Sequence, residues 1–483
     1  MFNKKKYQKE LQAKLEASTP KIEAYEALPA TPKNRVVHPW LKPVMFGLGG
    51  AAVVALSVSG GLAIAKALQS SGSGQNALTG RLNERKAKVA LSDISATSSA
   101  IYSRFADLTA TSLLKANYQE ASLAYSPVDA FIAFSMEIYA SNDTVQASYC
   151  TALGAKNMGE INTAAKEIAC FLGASENRQY RYNDEILTGD YGAANINSLW
   201  LDPKTPLVSD PSELLKGFSD NYYADVYKAE INSDNLNAWL SEVAPSGFND
   251  LPKLEIPSGG NAAMVSSTFL KDHFAPEKEQ RYQNQYQSGN HRYSYALPNG
   301  NTRLVDYLDY YDETSGYVFN GDGYHVTSLP VGLLGISYYL PDEGNDIASL
   351  FDRVFLTSGL QGSHYKLSLE APYFSITSDL DLLSALPNLG ASSLRNSSLE
   401  KLVDSSKEPT ALVSAKQSSV LKLDYEGFYA ASATVLVNAG AAENNYPVYD
   451  FKVDRPHFFK VTRDGLPLYY GVVVDPSYPA YQG

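Results

Sequence analysis

The chain has 483 residues, room for one large domain or two ordinary ones, and its 44% hydrophobic and 11% aromatic content excludes a disordered chain. A net charge of −12 argues against nucleic acid as a partner. The charge is uneven: residues 1–43 carry nine Lys/Arg against four Asp/Glu, and the remainder carries 31 against 48.

In chain order, residues 1–43 form a basic tail containing Lys and Pro. The next 22 residues, Val44 to Ala65, carry no charge and are long enough to cross a hydrocarbon core of about 30 Å as a helix. Basic residues precede this stretch and only Lys66 follows closely. A single-pass transmembrane anchor over 44–66 is therefore expected, with a cytoplasmic tail and an extracellular C-terminal domain at the cell membrane. Ala63-Ile64-Ala65 also fits a signal-peptidase site, but a basic region of 43 residues is long for a cleaved signal, so the uncleaved anchor is preferred. Residues 67–97 read as a spacer, Ser/Gly-rich over Gln69 to Gln75, and a linker helix starting near Leu78.

The globular domain is expected over 98–483, opening with helical spacing through Ile101, Phe105, Leu108, Leu113 and Leu114. Ser126-Pro127 reads as a helix start, with Ser as cap, Pro in the first turn and an apolar face following. Cys150 and Cys170 permit a disulfide outside the cell, but two buried free thiols on helices are preferred. Tyr293 to Leu297, the Pro298-Asn299-Gly300 turn and Arg303 to Val305 read as a hairpin. Asp306, Asp309, Asp312 and Glu313 read as a solvated acidic run. Helices come first, then many strands with two or three helices among them, which predicts an α+β fold with large antiparallel or mixed sheets. The six histidines form no metal-ligand pair and no Gly-x-Ser-x-Gly elbow occurs, so no metal, no cofactor and no enzymatic activity are expected.

Val420 to Leu423 reads as a strand. It passes an acidic corner, Asp424-Tyr425-Glu426-Gly427, and then Phe428-Tyr429-Ala430-Ala431-Ser432-Ala433-Thr434, largely small residues. Small side chains fit between two strands of an existing sheet, and the absence of proline from Gly427 to Tyr446 leaves every residue there able to donate a ladder hydrogen bond. The C-terminus, Phe451 to Val461 and Leu468 to Pro476, reads as two apolar strands around a turn at Arg463-Asp464-Gly465.

The hinge-like stretch resembles the start of the reactive-centre loop of serpins, and the C-terminal strands resemble the same family's closing signature. The resemblance extends through the domain: Ser126 to Met136, Leu236 to Leu240, Met264 to Phe274, Leu334 to Pro341 and Lys366 to Phe374 stand where the family has its ordered segments, with Leu380, Leu383 and Leu386 on a late helix. It implies a serpin fold, with a large central mixed or antiparallel sheet, two further sheets and about eight to nine helices, here preceded by the transmembrane helix. Tail, anchor and few cysteines suggest a bacterial member.

The resemblance also implies a function: inhibition of serine, and sometimes cysteine, proteases. The protease acylates itself on an exposed loop, which then inserts into the main sheet of a metastable fold. The hinge comprises Glu426 to Thr434. The family's spacing places the scissile bond at Ala441-Ala442, and counting back from Pro456 places it at Asn445-Tyr446. Alanines there suit an elastase-like target protease. The family's usual small hydroxyl residue after the hinge Gly is Phe428 here, an obstacle to insertion. The polar residues beneath the sheet opening are Ser126, Asp129, Ser266 and Gln417, the last three departing from the family's usual Ser, Asn and His. The alternative is a noninhibitory serpin-fold surface module that binds a ligand or partner.

Overall fold

The computed structural model of the chain describes residues 80–83, 85–89, 91, 93–173, 179–182, 185–188, 192–245, 251–256, 260–273, 286–287, 292–331, 334–355, 360–396, 399–408, 410–424, 427–429 and 446–476. The tail, the span over 44–66 and the Ser/Gly spacer lie outside them. Among the described residues no helix is long and apolar enough to cross a membrane.

Four helices lead: α1 (Ala96–Asn117), then strand β1 (Leu123–Tyr125), α2 (Pro127–Tyr139), α3 (Asp143–Leu153) and α4 (Met158–Gly173). Next come β2 (Gln179–Tyr182), β3 (Glu185–Thr188), β4 (Gly192–Leu201), α5 (Ser212–Tyr222), β5 (Ala224–Lys228) and α6 (Ser233–Val243). Strands then dominate: β6 (Ala262–His273), β7 (Tyr286–Gln287), β8 (Arg292–Ala296), β9 (Thr302–Asn320), β10 (Tyr324–Val331), β11 (Leu334–Pro341), β12 (Gln361–Pro372) and β13 (Phe374–Asp381). The chain closes through β14 (Lys416–Leu423), β15 (Gly427–Tyr429), β16 (Val448–Lys452), β17 (His457–Arg463) and β18 (Leu466–Val473).

Three sheets result among these residues: six strands in the order β13-β14-β15-β6-β4-β5, ten strands along β1-β18-β17-β11-β10-β9-β12-β16 with β7 and β8 attached to β9, and the hairpin β2-β3. The pairs β4–β5 and β12–β16 are parallel and the other pairs antiparallel, so the expected mixed character holds. The helix count differs from expectation: six α-helices among the described residues, with short 3-10 turns at Ile347–Leu350, Leu383–Ala385 and Ser392–Arg395. The expected late helix is one of these turns. Leu380 instead belongs to β13, where Phe374, Ile376, Ser378 and Leu380 alternate inward at the strand period of two.

Local chemistry sets the helix starts. Ser95 caps α1 by accepting from Ser98 N, and Ile101, Tyr102, Phe105, Leu113 and Leu114 bury one face at i, i+3, i+4 spacing. Ser126 caps α2, Pro127 fills its first position, and Val128, Phe131, Ile132 and Met136 enter the core. The turn between β17 and β18 needs left-handed backbone, supplied by Asp464 (φ 49°) and Gly465 (φ 81°). The β8–β9 hairpin forms as expected, with Gly300 at φ 79°. Both cysteines are free and buried, the Cys170 sulfur lying 3.0 Å from the Tyr223 hydroxyl.

Of the linker helix expected within 67–97, residues 67–79 lie outside the described residues; Arg81 to Ile94, where described, is not helical, and α1 begins at Ala96. This segment docks instead on β5, the edge of the six-stranded sheet. Leu82 N donates to Val226 O (2.6 Å), Val226 N donates to Asn83 Oδ1 (2.6 Å), and Arg85 N donates to Asp225 Oδ1 (2.9 Å). Asp225 is buried and also pairs with the Arg85 guanidinium at 3.1 Å, while Lys88 Nζ reaches the carbonyl of Asn195 on β4. An exposed strand edge satisfied in this way outweighs the helix preference of the Arg/Lys/Glu run. Asp225→Ala is expected to cost about 1–3 kcal/mol and to speed tryptic cutting between Arg81 and Lys88 severalfold, as read by timed proteolysis.

Candidate functional site: the strand slot and the polar network beneath it

The six-stranded sheet holds a short strand at its centre. Leaving β14, the chain passes Asp424, which is buried and paired with Lys422 Nζ at 3.1 Å. It returns antiparallel as β15, with Leu423 opposite Phe428 and Lys422 opposite Tyr429. On its other edge β15 pairs with β6: Gly427 opposite His273, Phe428 opposite Asp272 and Tyr429 opposite Lys271. Among the described residues no pairing joins β6 and β14 directly; β15 is what stands between them.

This corrects one expectation. The resemblance implies an exposed loop with Phe428 as an obstacle to its entry into the sheet. The backbone of Gly427–Tyr429 is laddered on both sides and lies within the sheet. Of the remaining hinge and scissile-bond residues, Glu426, Ala430, Ala431, Ser432, Ala433, Thr434, Ala441, Ala442 and Asn445 lie outside the described residues. Tyr446 is described, half-buried, just before β16.

Below the slot, the first turn of α2 holds both flanking strands. On the β14 side, the Gln417 side chain closes on the Ser126 backbone twice: Ser126 N donates to Oε1 (2.7 Å) and Nε2 donates to Ser126 O (2.8 Å). On the β6 side, Asp129 Oδ1 accepts from Thr268 Oγ1 at 2.6 Å and from Ser266 Oγ at 3.5 Å. Asp129 N in turn donates to Ser126 Oγ (3.4 Å). The network therefore brings Ser126, Asp129, Ser266 and Gln417 together, with Ser126 joining the other branches.

Three of its members escaped the sequence reading. Thr268 makes the shortest bond to Asp129. Asn195 Nδ2 donates to Ser266 Oγ (3.2 Å) and to Thr268 Oγ1 (3.1 Å), and Asn197 Nδ2 donates to Asn195 Oδ1 (2.7 Å) and to Tyr222 O (2.7 Å). The signal for them was period-two alternation: Ser266 and Thr268 share one face of β6, and register sets Asn197 opposite Ser266 and Asn195 opposite Thr268. The Thr268 and Ser266 hydroxyls donate to the carboxylate and Asn195 donates to both of them, a relay whose polarity suits an anion.

Asp129 is nonetheless buried. Desolvation pushes its carboxyl up to about 7, against the pull of hydrogen bonds from Thr268, Ser126 and Ser266. The phenols facing it are Tyr102 on α1, Tyr125 on β1 and Tyr469 on β18; burial pushes all three up, so they stay neutral at physiological pH.

Comparisons with known proteins agree with this geometry. The sequence model of the family described as Serpin (serine protease inhibitor) matches residues 102–476. The chain is similar to Serpin-Z1 of Arabidopsis thaliana, 24% identical over 389 residues that cover 75% of this chain and 90% of that protein. It is also similar to a Probable non-inhibitory serpin-Z5 of the same plant, 23% identical, covering 67% of this chain and 71% of that one. Among solved structures, the native state of the thermophilic serpin Tengpin matches with a TM-score of 0.62 at 16% identity, covering 84% of this chain and all of that one (100%). Arabidopsis AtSerpin1 in its native stressed conformation matches with a TM-score of 0.60 at 17% identity, covering 80% and 99%. These relatives and fold neighbours are serpins, a family of protease inhibitors and not of enzymes in which one relative is named as probably non-inhibitory, and this chain belongs to the serpin family.

Proposed function

We propose that the chain is a membrane-tethered, extracellular serpin that inhibits an elastase-like serine protease, or a cysteine protease of similar preference, through the loop from Gly427 to Tyr446. The nucleophile of the protease bonds to the carbonyl carbon of Ala441. The Ala441–Ala442 peptide bond breaks, and the proton passes to the new amino group of Ala442. The freed hinge then extends β15 between β6 and β14 and carries the acylated protease with it. The observation that supports this most directly is β15 itself, hydrogen-bonded on both edges where an inserting strand has to begin.

The test is titration of pancreatic elastase with the ectodomain. Loss of activity in proportion to inhibitor added is the expected outcome. A second reading, the noninhibitory surface module, rests on the aromatic pair Phe428-Tyr429 at the hinge and on the similarity to a relative named as probably non-inhibitory. Full elastase activity with a cut loop supports that reading.

The tether at 44–66 rests on the uncharged span and its basic flank. Protease added to intact cells should remove the domain and leave a small basic stub; a fully protected domain contradicts this orientation. The two relatives named above come from Arabidopsis thaliana and add no support for a bacterial source.

A further inference from the structure

The strap ahead of α1 is held on the domain unevenly. From Arg81 to Arg85 it is laced to β5 and α5. Leu82 N and Arg85 N donate to Val226 O and Asp225 Oδ1, and the Asn83 side chain is fixed between Val226 N (2.6 Å) and Leu215 O on α5 (2.9 Å). Arg81 donates to the Tyr227 hydroxyl at 2.8 Å and stands 3.7 Å from Asp225. Lys86 and Ala87 differ. Both are exposed, and among the described residues the backbone of neither makes a hydrogen bond. Of the four basic side chains on the strap, Arg81, Arg85 and Lys88 are engaged by Tyr227, by Asp225 and by the Asn195 carbonyl. Lys86 pairs with Asp220 on α5, and the two side chains keep 55% and 30% of their exposure. A pair as open to water as this holds a side chain weakly.

We propose that Lys86–Ala87 is a processing site for a protease that prefers a basic residue before the cut bond, and that the cut frees the strap from β5. Exposed, extended backbone with small and polar side chains is where nicking concentrates. Water adds across the peptide bond, leaving a carboxylate on Lys86 and an amine on Ala87. The consequence lies in Asp225. Its side chain is 0% exposed, and among the described residues its cationic partners are Arg81 and Arg85, both on the side of the cut that leaves. In the intact chain the link through Ala87 keeps those guanidiniums at high local concentration. Once severed, the piece ending at Lys86 departs on dilution, and Asp225 keeps the Tyr227 hydroxyl at 3.5 Å. A buried carboxylate stripped of its partners is strongly destabilising, and β5 becomes an open sheet edge. Processing at this one bond therefore switches the six-stranded sheet from a covered edge to a bare one. The switch stands apart from the loop, whose alanines suit a protease of different preference.

The experiment treats the full chain with trypsin at a limiting ratio and reads the products by N-terminal sequencing and mass. The expected first cut after residue 66 gives a domain that begins at Ala87, and Lys86→Gln slows its appearance at least tenfold. The cut domain should elute apart from the piece ending at Lys86 and melt about 5 °C or more below the uncut chain. In Asp225→Asn, which leaves no charge to strand, the same cut should lower the melting temperature by less than half as much. Melting of the uncut variants checks their folding, and elution of the wild-type piece needs no variant at all. A first cut elsewhere between residues 67 and 95, or an unchanged rate in Lys86→Gln, overturns the site. A piece that stays bound after the cut, or a wild-type melting temperature that the cut leaves unchanged, overturns the switch.

Discussion

Cleavage within residues 430–445 is expected to raise the melting temperature of the ectodomain sharply. Three residues of β15 are already laddered between β14 and β6. Cutting the loop frees the segment up to about Val437 to continue that strand. Roughly eight further residues then gain backbone partners on two sides, and at about 1 kcal/mol per net hydrogen bond the gain is on the order of 10 kcal/mol. For a domain of this size that corresponds to an increase of about 10–20 °C. Small side chains at Ala430, Ala431, Ser432 and Ala433 keep the cost of packing them low. Scanning calorimetry before and after cleavage reads the effect. An unchanged melting temperature with the cut confirmed by mass contradicts insertion.

Asp129→Asn is expected to change how stability depends on pH. Burial lifts the native carboxyl from 3.8 to about 7, so between these values the folded chain keeps a proton that the unfolded chain releases. The sign follows: the stabilisation tied to this group is fully present below about pH 4 and is lost as pH rises through about 7, a total on the order of 4 kcal/mol at about 1.36 kcal/mol per unit. An asparagine keeps one acceptor oxygen for Thr268 and Ser266, which both donate to Oδ1, without carrying charge. The variant should melt close to wild type at pH 4.5 and about 4–8 °C above it at pH 8. Because Tyr102, Tyr125 and Tyr469 remain neutral in this range, they do not mask the effect. A difference of the same size at both pH values contradicts the assignment of a buried, titrating Asp129.

What could be read from the residues in advance was mostly local. The Ser126 cap, the Gly300 and Gly465 turns, strand β11 and the C-terminal hairpin each depend on neighbours a few positions away, and each forms as expected. The failures have tertiary causes. Leu380, Leu383 and Leu386 share a spacing of three, yet Leu380 is held in β13 by its ladder to Gln417 on β14. The Arg/Lys/Glu run after Leu82 favours a helix in isolation, but the open edge of β5 takes its backbone. Within the site, Asp129, Ser266 and Gln417 could be named because the family resemblance aligned them. Thr268, Asn195 and Asn197 join only through the register of β4 on β6, a pairing that no short stretch of sequence encodes. The position of Phe428 inside the sheet was likewise beyond local reasoning, since it depends on the separation of β6 and β14.

The central claim is that the loop traps a protease by acylation and insertion. Its most direct measurement is the intact mass of the species formed when the ectodomain meets pancreatic elastase, after denaturation in SDS. The account predicts a covalent adduct comprising the protease and the chain up to Ala441, with a released C-terminal fragment that begins at Ala442. Intact, uncoupled protease together with a cleaved chain, and no adduct at any ratio, would contradict it.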